Sequence, residues 1–548
     1  MQTRYLINSL TLSEIFEDAR RLAELATSLA AFLENQRWFA AKTDGIQSVE
    51  ILDSVEIPGE ATTFELVLAT IVTNGGSSDC YAVPIIAASS NDIEAADAII
   101  AGLSSDHGST VSPTSLVECS SNPEFWRAIT ASLATRTLTT RNGRELKLSR
   151  TANSKLGLGE LFGDAEFRIH DGEQSNSAVA IGDDFFLKLF RRPRVGHNPD
   201  AEVGIFLTDR TDFRNSPRVD ATIDIVGPDG NRCLALISEQ VSADTDAWSY
   251  TLDNLKGYWN RLAALEDRPD APPRLEPFDD AALDKYFADT EHVYNNLIRS
   301  FEADAIQLGR RTAELHTALS SCDDDPAFAP EAFSQDSLNE LVEQLRAEVQ
   351  STCELLEQAD PIENSIANLP QKISLRANLL LDGTSSFDPA QANVVSIRCH
   401  GDYHLGQVLK TESDFVILDF EGEPDRPFDE RRQKRCAMKD VAGMIRSFHY
   451  ASCTTAVGIL PPPDANITNA AKWQTFWYDN ARVGFLAGYK SESEGKPFLP
   501  SDDSAFQKLL DLFLIEKVLY ELRYEINNRP DWVQIPLAGL NAVLGLSN

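Results

Sequence analysis

The chain has 548 residues, with 84 acidic against 49 basic side chains and a formal net charge of -35. That length exceeds what one hydrophobic core organises, so two or three structural units are expected. A hydrophobic fraction of 43 % and a charged fraction of 24 % exclude disordered and fibrous classes, and so acidic a surface argues against nucleic acid or anionic membrane as partners.

Residues 13–35 place Ile15, Leu22, Leu25, Leu29 and Leu33 near helical spacing and predict one amphipathic helix. The first residues carry acids where a signal peptide needs an apolar run, and no stretch approaches the roughly 18 apolar residues of a membrane span. The runs VEILDSVEI, TFELVLATIVT and CYAVPII predict a small sheet that ends near residue 88. A Ser-, Asn-, Asp- and Gly-rich stretch, 89–123, reads as loops around one short helix and marks a boundary. SAVAIG, DDFFLKLF, TIDIVG and CLALISEQV form a second strand-rich block over 145–241. Beyond Asp244 helical patterns dominate, at 301–320, 335–359, 438–453, 470–490 and 504–528. A β-rich block before a helical one predicts an α+β arrangement rather than a doubly wound sheet. The expected divisions are 1–105, 106–243 and 244–548. The eight cysteines are scattered without a C-x-x-C pair, which fits reduced thiols in a cytoplasm.

The segment CHGDYHLGQVLKTESDFVILDFEGEPDRP concentrates the chemistry. Two apolar runs, Gln407 to Lys410 and Phe415 to Phe420, flank TESD and predict a hairpin. Pairing would bring Asp402 and Asp419 to one edge, and alternation would put Glu421 on the face of Asp419. Phosphoryl transfer needs such a set: a carboxylate to accept the substrate proton, and oxygen ligands to hold Mg²⁺ against the phosphates. Asp402 is the candidate base, with Gln407 and Asp419 as metal ligands and Glu421 assisting. The order parallels the H-R-D…N and D-F-G pair of kinases. A glycosidase-type acid pair is the other reading, but it leaves Gln407 and an upstream lysine without roles.

That lysine is Lys188, inside the apolar run DDFFLKLF, where an unpaired ammonium is costly. Glu202, near the start of a helix capped by Asn198 or Asp200, is its expected partner. No Walker motif is present, and the glycines of GLGELFG are a weak imitation of a phosphate loop. GEQSNSAVAIG serves better: Ser175, Asn176 and Ser177 offer donors at a strand-to-strand turn. Glu239-Gln240-Val241 is a candidate hinge whose backbone, at Glu239 and Val241, would bind adenine.

These motifs resemble the maltokinases, among the aminoglycoside-phosphotransferase-like kinases. The resemblance extends to QRWFAAK (36–42), LGRRTAELHTAL (308–319) and LLDLFLIEKVLYELRYEINNRPDWVQIPLAGL (509–540). It implies a bilobal kinase-like fold with an N-terminal cap, Mg-ATP as donor, and maltose converted to maltose 1-phosphate for α-glucan (glycogen) synthesis. A functional link to a trehalose synthase or a glucan-synthesising enzyme follows from it. Carried over by position, Asp402 is the base, Gln407 and Asp419 hold the metal, and Lys188 and Glu202 form the nucleotide-side pair. Tyr403, Cys436-Ala437-Met438, His449 and Asp246-Ala247-Trp248 depart from the family pattern and leave the sugar open. Another sugar or amino sugar such as glucosamine, and a nucleotide-binding pseudokinase, are the rival readings.

A neutral sugar is held by carboxylates, amides and aromatic faces. In KVLYELRYEI, Tyr520 and Tyr524 share one helical face and Glu521 and Glu525 the next. Tyr520, Glu521 and Tyr524, with Glu421 and Arg426 from EGEPDRP, are the candidate sugar residues. A surface stripe with a Lys517–Glu521 pair is the plain alternative.

Overall fold

The computed structural model describes residues 6–8, 11–42, 44–89, 96–104, 114–157, 162–163, 165–170, 175–265, 292–358, 368–424, 426–455, 457–460, 467 and 469–546. They form two compact units, Met1–Arg210 with Pro217–Val241, and Thr211–Ser216 with Ser242–Asn548.

The first unit opens with a six-stranded sheet: β1 (Leu6–Asn8), β2 (Ile46–Pro58), β3 (Thr63–Thr73), β4 (Ser78–Ser89), β5 (Ile99–Ser104) and β6 (Thr114–Glu118). Their spatial order is β1-β5-β6-β4-β3-β2. The β1–β5 pair is parallel and the other neighbours antiparallel. The sheet therefore runs past residue 88, where the sequence placed its end. Its last two strands are short apolar runs set among Ser, Asp and Gly, and composition read them as loop.

Strand β3 shows how both faces are covered. Phe64, Leu66 and Leu68 enter one core with Phe125, Trp126 and Ile223, while Val67, Ala69 and Ile71 enter another with Leu25, Leu29 and Leu33. Period-2 alternation divides one continuous apolar run between two cores. The helix expected over 13–35 is two helices, Leu12–Glu17 and Ala19–Leu33. Asp18 is extended between them, and its carboxylate caps the N–H groups of Arg20 and Arg21.

A second sheet in this unit contains β7 (Leu138–Thr139), β8 (Glu145–Arg150), β9 (Phe167–His170), β10 (Ser177–Ile181), β11 (Phe185–Leu189), β12 (Val219–Gly227) and β13 (Gly230–Glu239). The order β7-β8-β12-β13-β11-β10-β9 is antiparallel throughout. These strands include the four runs read from the sequence.

The second unit is mainly helical. His292–Leu319, Gln335–Gln358, Met438–Ser452, Ala470–Ser493 and Asp503–Asn528 correspond to the expected helices, and Ala247–Ala263, Leu369–Gly383 and Gln534–Leu544 add to them. His292–Leu319 and Ala470–Ser493 meet backbone to backbone. A Cβ on Gly309 would lie 2.0 Å from the Phe485 carbonyl oxygen, and one on Gly488 2.0 Å from that of Ile306. Short strands β14 (Thr245–Asp246), β15 (Glu331–Ala332), β16 (Val395–Ile397), β17 (Val408–Lys410), β18 (Phe415–Ile417) and β19 (Arg435–Cys436) make two small sheets, β14-β17-β18 and β15-β16-β19. None of the eight cysteines forms a disulfide. No helix among the described residues is long and apolar enough to cross a membrane.

Candidate active site

The expected hairpin is present, with Val408, Leu409 and Lys410 paired to Ile417, Val416 and Phe415. The Leu418 N–H continues the ladder to the Gln407 carbonyl at 2.9 Å. That register sets Gln407 beside Asp419, where Gln407 Nε2 donates to Asp419 Oδ2 at 3.0 Å. The amide oxygen of Gln407 then faces away from that bond as an oxygen donor. The strand ends at Ile417, earlier than the sequence suggested, and Asp419 adopts φ +63°. Asp tolerates this left-handed region better than most residues. Strand alternation thus does not carry Glu421 to the side of Asp419. The turn does, bringing carboxylate oxygens of the two within 4.8 Å.

The loop before this hairpin is fixed by Asp440, buried in the first turn of Met438–Ser452. Its carboxylate accepts the backbone N–H groups of His400 at 2.7 Å and Gly401 at 2.9 Å, and is hydrogen-bonded to His316 Nε2 at 3.1 Å. Burial opposes ionisation of Asp440, yet His316 and these loop contacts hold its carboxyl below the ordinary range. Gly401 sits at φ +87°, a conformation that glycine adopts without penalty. His400 Nε2 is hydrogen-bonded to the Leu418 carbonyl at 2.8 Å, tying the loop to the residue before Asp419.

Asp402 follows Gly401 and meets a lysine from the C-terminal helix. Lys517 Nζ donates to Asp402 Oδ1 at 2.9 Å and to Glu423 Oε1 at 3.2 Å. Glu423 also accepts from Arg426 Nε at 2.5 Å and Lys439 Nζ at 3.3 Å, and Arg426 continues to Glu516 at 2.6 Å. His404 Nε2 stands 3.9 Å from the other Asp402 oxygen. Burial would raise the Asp402 and Glu423 pKa values, but the surrounding cations outweigh it and hold both carboxyls below their ordinary range. Burial would likewise neutralise Lys517, and the two carboxylates raise its pKa well above the usual value instead.

The sequence does not mark Lys517 or Glu423 as site residues. On its helix Lys517 pairs by spacing with Glu521, four residues on, yet it turns toward Asp402. Glu521 closes onto Arg446 instead, accepting from Nε at 2.9 Å and forming an ion pair with Nη2 at 2.7 Å, and is 8 % exposed. Its carboxylate is engaged inside the helical packing rather than turned to a ligand. Arg426 is likewise occupied by Glu423 and Glu516. Tyr520 and Tyr524 do share a face, stacked at 6.4 Å, with the Lys517 ammonium 4.9 Å from the Tyr520 ring and Tyr524 at 38 % exposure.

The nucleotide-side candidates lie in the first unit. Residues 171–174, the start of the expected phosphate turn, lie outside the described residues, and Ser175 and Asn176 lead into β10 at Ser177. Lys188, on β11, places Nζ 2.9 Å from Asp200 Oδ2. Asn198 supplies the helix cap, with its side-chain oxygen accepting the Ala201 N–H at 3.1 Å, so Asp200 is left to face the lysine. Glu202 follows two residues later in the same first turn. Glu239 ends β13, its N–H bound to the Arg218 carbonyl at 2.8 Å, and the unit ends at Val241.

A family model for the maltokinase N-terminal cap domain matches residues 32–112. A glucosamine kinase of Streptacidiphilus jiangxiensis is 25 % identical over 244 residues, covering 44 % of this chain and 49 % of that protein. Another, of Mycolicibacterium smegmatis, is 29 % identical over 155 residues, covering 28 % and 36 %. The matched stretches thus span half or less of these relatives. A solved structure of glucosamine kinase in complex with glucosamine, ADP and inorganic phosphate aligns over 94 % of this chain and 99 % of its own, with a TM-score of 0.56 at 16 % identity. Crystal form B of glucosamine kinase aligns with a TM-score of 0.57. At that identity the likeness is one of fold. The resemblance to the maltokinase family is borne out: the chain has an α+β, kinase-like fold bearing a maltokinase-type N-terminal cap.

Proposed function

We propose that the protein is an ATP-dependent sugar kinase whose acceptor is a neutral sugar, with maltose phosphorylated at its anomeric hydroxyl to maltose 1-phosphate. The observation that carries this reading is Lys517, seated between Asp402 and Glu423. Asp402, Glu423 and Glu516 each already face at least one cation, so they hold little uncompensated charge for the ammonium of an amino sugar. A second cation brought within 4–5 Å of Lys517 would cost roughly 3–4 kcal/mol at an effective dielectric near 20. A neutral hydroxyl incurs no such repulsion. The cap match supports the maltokinase side of the choice. The names of the two relatives favour glucosamine, which is the second reading.

In this reading the sugar hydroxyl attacks the γ-phosphorus, its proton passes to Asp402, and the bond to the bridging oxygen breaks to release ADP. A carboxylate held below its ordinary pKa is a weak base. That suits a loose transition state, in which the nucleophile needs orientation more than early deprotonation. Lys188 with Asp200, and the Asn176–Ser177 turn, would grip the phosphates, and the Glu239–Val241 backbone would take adenine. Gln407, Asp419 and Glu421 form an all-oxygen donor set that suits Mg²⁺. Bound there, Mg²⁺ would supply neutralisation of charge on the phosphate oxygens. Tyr520 and Tyr524 offer stacked faces to a sugar ring. The product would enter α-glucan synthesis in the cytoplasm, beside a trehalose synthase or glucan-building enzyme.

ATP consumption over a panel of neutral disaccharides and amino sugars tests the reading. Turnover is expected with maltose and not with glucosamine. Preference for glucosamine would replace this reading with the second one, and inactivity toward every sugar would remove both.

A further inference from the structure

The motif Phe190-Arg191-Arg192 follows the strand of Lys188 and has no part in the chemistry above. Arg191 is 1 % exposed. In one direction it reaches the first sheet: Nη2 donates to Glu118 at 2.9 Å and Ser120 at 2.6 Å, Nη1 to the Ala82 carbonyl at 3.4 Å. The Arg191 carbonyl in turn accepts the Ala82 N–H at 2.9 Å. Its guanidinium also lies 4.3 Å over the ring of Trp38, from the QRWFAAK segment. In the other direction it reaches the turn before β10. Arg191 Nε donates to Ser177 Oγ at 2.9 Å, and its backbone N–H to Asn176 Oδ1 at 3.2 Å.

We infer that Arg191 is a positioning residue through which the N-terminal sheet fixes the phosphate-gripping turn at Asn176–Ser177. The inference rests on the reading of that turn as a phosphate contact. Its physical basis is that a guanidinium is a rigid planar fork, so four acceptors and one aromatic face determine its place. A buried network with its donors satisfied is stiff. A turn that hangs from such a fork holds its own donors in one arrangement and loses less freedom when a triphosphate binds. Trp38, Glu118 and Ser120 become, on this view, remote members of the nucleotide grip, and the cap is needed for ATP affinity rather than for sugar choice.

Arg191→Lys keeps the charge and loses the fork. The full-length variant is expected to bind ATP about 10-fold more weakly, the size of one lost charge-assisted hydrogen bond. KM for ATP should rise in parallel, while KM for the sugar and kcat stay within about twofold, inside the scatter expected of a site that is not touched. Trp38→Leu, which removes the ring beneath the Arg191 guanidinium, and Ser120→Ala, which removes a hydroxyl bonded to both Arg191 and Glu118, should each weaken ATP binding about 3-fold, and Trp38→Phe should restore most of what Trp38→Leu loses. These milder changes decide the matter if Arg191→Lys does not fold. Unchanged ATP affinity in the folded variants, or equal damage to both KM values and kcat, would overturn the inference. Failure of the wild type to bind ATP would instead overturn the kinase reading itself.

Discussion

Lys188 and Lys517 are both largely buried lysines facing carboxylates, yet their settings differ. Lys188 stands on a strand and meets Asp200 from a helix that begins ten residues after that strand ends. Lys517 joins Asp402 to Glu423, and the charges continue through Lys439 and Arg426 to Glu516. The first pair is local. The second draws together the loop at Asp402, the turn after Asp419 and the C-terminal helix, three segments spread over more than a hundred residues of chain. In a low-dielectric setting such a network gains strength when complete and loses heavily when one member is removed. The Lys517 network is therefore expected to be sensitive to any single charge change, whereas the Lys188–Asp200 pair is expected to tolerate adjustment around it.

The largest effect should come from Asp402→Asn. It is nearly isosteric, and it removes the proposed proton acceptor while leaving the loop bonds to Asp440 in place. kcat should fall by at least about 100-fold with ATP affinity kept. Steady-state turnover near wild type would remove Asp402 from its role.

Next in size is the contrast between the lysines. Lys517→Met leaves Asp402 and Glu423 without their shared cation and should cost about 3–5 kcal/mol of unfolding free energy. Lys188→Met should cost less stability and show itself in KM for ATP, raised about 10-fold. Urea unfolding and initial-rate kinetics on both variants would show this crossing, and equal stability losses would argue against two different designs. A smaller pH effect sharpens the contrast. Asp402 and Glu423 titrate below their ordinary values, so the stability they give is complete above the unfolded carboxylate range, near pH 4.5. It is lost as pH falls through the lower folded values. The wild-type urea midpoint should drop on acidification below about pH 4, and that of Lys517→Met should drop less.

The local features of the site were legible in the sequence, and the long-range ones were not. The hairpin, with Gln407 and Asp419 brought together, follows from a short turn between two apolar runs. Lys188 announced itself as a charge inside an apolar strand. Lys517 gave no such signal: on a helix of alternating charges its nearest sequence partner was Glu521, and only tertiary packing turns it to Asp402. Asp440 was hidden for a related reason, since an acid in a first helical turn reads as a favourable end charge before the packing shows which N–H groups it binds. Strands β5 and β6 escaped because they are short and bounded by polar residues, although β6, paired to β4, and β5, paired to β6, complete the sheet on which Arg191 is anchored.

The most direct measurement is phosphorus NMR of the products formed from ATP when the protein is given maltose and, separately, glucosamine. The expected result is ADP with a new anomeric sugar phosphate from maltose, and no sugar phosphate from glucosamine. A hydroxymethyl phosphate formed on glucosamine, with maltose left untouched, would contradict the claim that Lys517 sets the site for a neutral acceptor.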